Sequence, residues 1–168
     1  MRHWMILAAV TLSCGGVPAA AAPPAAPSAE LNSCHGGDCS WSRTLSRTVV
    51  RQEPAGILYR LSLLGGSARE GSSRISWNRA PHEIFILCSV RLPAVLIFDQ
   101  GHWQVDVLDF VAGPPPFEES SAALYARTCH PGEDWSADGF AARHGYHEED
   151  TEQEIAISQP EDIFRYAH

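Results

Sequence analysis

Glu83-Ile84-Phe85-Ile86-Leu87-Cys88-Ser89-Val90 leads through Arg91-Leu92-Pro93 into Ala94-Val95-Leu96-Ile97-Phe98-Asp99-Gln100-Gly101-His102-Trp103-Gln104-Val105-Asp106-Val107-Leu108-Asp109-Phe110, and this stretch decides the fold class. Ile84 to Cys88 is apolar, short and bounded by Pro81 and Pro93. That combination predicts a central strand buried on both faces. Ala94 to Phe98 is a second such run. Asp99-Gln100-Gly101-His102 supplies turn residues, and Trp103 to Phe110 returns as the partner strand of a hairpin. Trp103, Val105 and Val107 share one face, and Gln104 and Asp106 the other. Leu108 and Phe110 break the alternation, which predicts a bulge or the strand end.

Toward the N-terminus, Ile57, Tyr59, Leu61 and Leu63 alternate with their neighbours as a half-buried strand. Gly65-Gly66 is expected to end it, with a loop to Ser73. Ile75 and Trp77 predict another short strand. Arg43, Arg47 and Arg51 fall four apart, as on one face of a helix, but Thr44, Thr48, Val49 and Val50 favour a strand from about Thr44. Leu31 to Asp38 is expected as loop.

Toward the C-terminus, Gly113 and three prolines make a break. Glu118 to Cys129 predicts a helix: Glu118 and Glu119 suit its N-terminal dipole end, and Ala122, Tyr125 and Cys129 form an apolar stripe. Ser136 is expected to cap a short helix over Ala137 to His144, closed by Gly145. Glu154 to Ile157 reads as an edge strand. Ser158-Gln159-Pro160-Glu161 reads as a capping box that starts a last helix through Tyr166. Strands first and helices after imply an α+β domain: an antiparallel sheet of about five or six strands, with mostly C-terminal helices packed on one face and disulfides as staples.

The chain opens with a short charged tip, Met1-Arg2-His3-Trp4, an apolar run from Met5 to Val17 and small residues from Ala19. This is the pattern of a secretory signal, and the run is shorter than the roughly 20 apolar residues a bilayer needs. Residues 1–21 are expected as signal peptide, with cleavage after Ala20 or Ala21. Residues 22–40 read as a Pro/Ala-rich spacer with a cysteine loop, and residues 41–168 as one globular domain. A lipoprotein acylated at Cys14 is the rival, weakened because a lipobox would want the leucine one place earlier than Leu12. Twelve basic residues, all arginine, with abundant Ala, Gly and Pro suggest a GC-rich bacterial genome. The expected location is therefore periplasmic or secreted.

Four cysteines follow the signal, and an even count in an oxidising compartment reads as two disulfides. The favoured pairing is Cys34–Cys39 and Cys88–Cys129. Loop-closure entropy makes the second worth about 4 kcal/mol and the first about 2 kcal/mol. Cys34, His35, Asp38 and Cys39 also have the chemistry of a soft-metal or redox loop, though the spacing is not that of a thioredoxin-like pair and no second cysteine pair is free to complete a zinc set.

Net charge is −8, which disfavours nucleic acid and anionic membranes as partners. Arginines concentrate between Trp41 and Arg91, and acids after Leu92. Ordinary ion pairs between the two halves account for this, or an acidic face that docks on a cationic partner. No nucleophile elbow, zinc-binding histidine pair with catalytic glutamate, or Cys–His set is present. Ser120 and Ser121 look like a helix start. Asp106 and Asp109 have the residue types for acid–base work but the wrong parity for one strand face. Trp77 and Trp103 are expected in the core and Trp135 exposed.

His144 and His147 stand three apart, and His130 precedes Glu133 and Asp134. Imidazole with carboxylate suits zinc, copper or nickel. The expectation is a small exported bacterial protein, non-enzymatic, that binds a protein or envelope component. Its alternatives are a periplasmic metal-binding protein using His130, His144 and His147, and an envelope hydrolase. No cofactor beyond a metal ion is implied.

Overall fold

The computed structural model describes residues 28–148 and 155–168. The signal peptide, its cleavage point, Cys14, the start of the spacer and residues 149–154 lie outside the described residues.

Seven antiparallel strands form one sheet: β1 (Glu30–His35), β2 (Asp38–Glu53), β3 (Gly56–Arg69), β4 (Ser76–Trp77), β5 (His82–Cys88), β6 (Ala94–Asp99) and β7 (His102–Val107). Their order is β1-β2-β3-β5-β6-β7, with β4 paired to β3. Helix α1 (Glu119–Cys129), helix α2 (Phe140–His144) and a 3₁₀ helix (Pro160–Arg165) follow.

The apolar run of β5 explains the layering. Ile84 and Ile86 point to one face, where they meet Leu61, Leu63 and Val95 beneath Ala122, Tyr125 and Ala126 of α1. Phe85 and Leu87 point to the other, with Leu58, Leu96 and Val107. A strand apolar on both faces needs cover on both, and each fully buried branched side chain contributes about 1.5–3 kcal/mol. The expectation of helices on one face is thus corrected. Helices α1 and α2 cover the first face, and Ile163, Phe164 and Ala167 of the C-terminal segment cover the second.

The expected loop at Leu31 to Asp38 is instead β1 and a tight turn. Gly36 (φ +57°) and Gly37 (φ +82°) form a two-residue hairpin turn with both central residues left-handed. The sheet therefore begins at Glu30, within the stretch read as spacer. Strand β3 does not end at Gly65-Gly66 but runs through both to Arg69. Residues 155–157 are not strand.

Helix α2 starts at Phe140 with Gly139 at its N-cap, not Ser136, and closes on left-handed Gly145 as expected. The last capping box lies one residue later than expected, on Gln159 and Asp162. Both disulfides are formed in the favoured pairing, Cys34–Cys39 and Cys88–Cys129.

The three arginines of β2 do not line one face: Arg43 and Arg51 lie on one side and Arg47 on the other. Bulges at Thr44/Ser46 and Val49/Arg51 each flip the alternation. Arg47 stacks over Tyr59 at 4.0 Å, whereas Arg43 lies over Trp77 at 4.6 Å and Arg51 over Phe164 at 5.5 Å, on the opposite side. Their methylene stems and cationic heads cover aromatic rings at the sheet margin.

Candidate metal site

The site forms where α1 and α2 both end. His130 is the C-cap residue of α1, and its backbone N–H donates to the Ala126 carbonyl. Pro131 and Gly132 follow, and the Glu133 N–H closes a turn onto the His130 carbonyl at 3.1 Å. Proline at the second position and glycine at φ +86° at the third make this a type II turn. The turn folds Glu133 back beside His130. Phe140 is fully buried and anchors α2, which carries His144 on its last turn.

The donor atoms of His130, Glu133 and His144 lie within 4.8 Å of one another. The imidazoles of His130 and His144 stack with centroids 3.8 Å apart, and His144 Nε2 lies 2.9 Å from Glu133 Oε2. His144 is one-fifth exposed and Glu133 two-fifths, so a solute ion has a path in. Both imidazoles sit near carbonyl-rich helix ends, where a cation is favoured.

A buried hydroxyl relay determines the His130 tautomer. The Tyr125 hydroxyl donates to the Ser89 carbonyl at 3.0 Å, and the Tyr146 hydroxyl donates to the Tyr125 oxygen at 3.0 Å. Each phenol has one proton. The Tyr146 oxygen, 2.7 Å from His130 Nε2, therefore accepts from that nitrogen. His130 then carries its proton on Nε2 and its lone pair on Nδ1, with Tyr146 as the outer partner that metal-binding histidines ordinarily have.

Electrostatics favour the forms a metal needs. Burial, then repulsion from His144, lowers the His130 pKa, although Glu133 pulls the other way. The hydrogen bond from His144 holds the Glu133 carboxyl below its usual range. Burial drives the Tyr146 phenol up to about 12, so the relay keeps its protons through neutral pH.

Of the sequence-expected ligands, His130 and His144 come together and His147 does not. His147 lies beyond left-handed Gly145 and is exposed. Glu133 takes its place. The Pro-Gly turn after His130 is the sequence signal that identifies it. The Cys34–Cys39 loop is a disulfide-closed hairpin, so its thiols are not available as ligands.

The other candidates have structural partners. Asp109 accepts the backbone N–H groups of Val111 and Ala112, and Asp106 accepts the Ser121 hydroxyl at 2.7 Å. Trp135, expected exposed, is half-buried against the α1 core. Among the described residues no helix is long and apolar enough to cross a membrane.

No family model, curated protein or solved structure matches this chain. The function therefore has to be argued from this geometry.

Proposed function

We propose that this is an exported, non-enzymatic binding protein whose ligand is a divalent transition-metal ion, held by His130, Glu133 and His144. The observation that carries the proposal is the convergence of these three donors from two separately anchored segments. Two imidazoles and a carboxylate suit zinc, copper or nickel rather than calcium or magnesium. Tetrahedral bonds of ~2.0–2.1 Å imply donor separations of about 3.3 Å, so from within 4.8 Å the widest pair closes by up to about 1.5 Å while the 2.9 Å His144–Glu133 pair opens slightly. The exposed Glu133 side chain has the freedom for that movement. Metal at His144 Nε2 displaces the hydrogen bond to Glu133, and the neutral ring keeps its one proton on Nδ1. Three protein ligands leave a position for water or for a donor from a receiving molecule. Export is supported by the N-terminal sequence pattern and by two disulfides, which suit an oxidising compartment.

Calorimetric titration of the oxidised protein with zinc and copper(II) tests this. One site is expected, with His144→Ala and Glu133→Gln each weakening it by more than the ~10–100-fold that loss of an outer partner costs. His147→Ala is expected to leave it unchanged. Undiminished binding in the His130→Ala/His144→Ala protein sinks the proposal.

A further inference from the structure

A second cleft, independent of the metal site, lies on the same sheet face toward β1–β3, beneath the first turn of α1. It has a volume of about 350 Å³. That is within the ~300–1,000 Å³ typical of small-molecule sites. Asn32, Ser40, Ser42, Ser67, Asn78 and His82 line it. No Arg, Asp or Glu does, in a chain with 19% charged residues.

This polarity is out of place for the fold. A sheet face covered by a helix is ordinarily apolar. One strand-width away the same face is so, with Leu61, Ile86 and Val95 at 1% exposure or less. Here Ser42 is buried at 3% exposure. Its hydroxyl donates to Asn32 Oδ1 at 2.9 Å, Asn32 Nδ2 donates to Ser40 at 3.2 Å, and the Arg127 guanidinium, outside the cleft lining, donates to Asn32 Oδ1 and Ser42 Oγ and holds both in place. The roof is pinned as well: Ser120 bonds Ser33 of β1, and Ser121 bonds Asp106 of β7, each at 2.7 Å. The helix is thus held over hydroxyls instead of collapsing onto them.

Gly65 opens the floor. A Cβ there would sit 3.0 Å from Asn78 Nδ2 and 3.4 Å from the His82 ring, so glycine lets both side chains lie over the strand. The Asn78 N–H donates to the Gly65 carbonyl at 2.8 Å and fixes that placement. Among the described residues, the Ser67, Asn78 and His82 side chains have no hydrogen-bond partner. They form the open mouth of a cleft whose inner hydroxyls are already ordered. Leu63, Ile84 and Ile97 supply an apolar patch.

We infer that this cleft binds one uncharged sugar ring. Hydroxyls and amides both donate and accept. Their match is a ligand that does the same around its rim, carries no charge and presents a C–H face to the apolar patch. A free sugar and the end unit of an envelope glycan share this chemistry.

Two-dimensional amide NMR of ¹⁵N-labelled protein, titrated with glucose, mannose, N-acetylglucosamine and the anionic comparator glucuronate, tests the inference. At least one neutral sugar should shift Ser42, Gly65 and Ser67 in a saturable way, with glucuronate weaker. Asn78→Ala and Ser67→Leu, both at exposed positions, should each weaken that binding at least tenfold while the remaining spectrum stays folded. Glu133→Gln should leave it unchanged, which separates this site from the metal reading. If a neutral monosaccharide binds, its β-linked disaccharide tells a free sugar from a glycan end by binding as well or better. The inference is overturned if no neutral sugar shifts the cleft, if glucuronate binds more tightly, or if the shifts survive both variants.

Discussion

Replacing Cys88 and Cys129 together by alanine should remove the largest single covalent contribution to stability. The bond closes a sequence separation of 41 and ties β5 to the last residue of α1. Chain-entropy bookkeeping gives about 4 kcal/mol for a loop of that size, against about 2 kcal/mol for the separation of 5 at Cys34–Cys39. The smaller value is itself an upper figure, because the hairpin turn at Gly36-Gly37 already brings those two residues opposite each other. Losing about 4 kcal/mol from a domain with a typical ~5–15 kcal/mol in total brings it near unfolding. Urea titrations of oxidised wild type, Cys88→Ala/Cys129→Ala and Cys34→Ala/Cys39→Ala, followed by tryptophan fluorescence, check the ordering. A large drop in midpoint is expected for the first variant and at most half that loss for the second. The reasoning is refuted if the Cys34/Cys39 variant is the less stable of the two, or if the Cys88/Cys129 variant loses under about 1 kcal/mol.

Gly56→Ala should destabilise by roughly 1–3 kcal/mol, because a Cβ there would lie 2.5 Å from the Cys88 carbonyl oxygen at φ +154°; an unchanged urea midpoint would contradict this packing. Stability should also fall as pH rises from 10 toward 12. The unfolded chain releases the Tyr146 proton near 10 and the folded chain holds it to about 12, so ionisation favours the unfolded state. At ~1.4 kcal/mol per unit the loss approaches about 3 kcal/mol. Thermal melts across that range should show a shallower alkaline slope in Tyr146→Phe, and equal slopes would disprove the assignment.

The parts of the fold legible in the sequence were those where one physical signal dominates. The β5 run is apolar on both parities and fenced by prolines, so burial on both sides follows from it directly. The turn at Gln100-Gly101 and the α1 stripe through Ala122 and Tyr125 are similarly unambiguous, and the stripe oriented Cys129 toward Cys88. Strand β1 was missed because Asn32 and Ser33 are polar and follow a spacer-like composition; its signal was the two-residue Gly36-Gly37 turn.

Gly65-Gly66 was misread as a stop for a subtler reason. A Cβ on Gly66 would meet Ile75 at 2.7 Å and Trp77 at 2.8 Å, and one on Gly65 would meet Asn78. Glycine within a strand can mark close approach by neighbours as well as an end. At the candidate site His130 and His144 were legible as residue types. Exchanging His147 for Glu133 needed turn geometry, which folds the residue directly after a Pro-Gly pair back beside the one directly before it, here Glu133 beside His130.

The cysteine pairing has a consequence for how the molecule is made. Counted along the chain after Cys14, the first cysteine bonds the second and the third the fourth, and the sheet likewise pairs mainly sequential strands. A chain emerging N-terminus first thus presents Cys34 with Cys39, and Cys88 with Cys129, with no competing thiol between them. Joining thiols in their order along the chain would give these two bonds directly, with no reshuffling step.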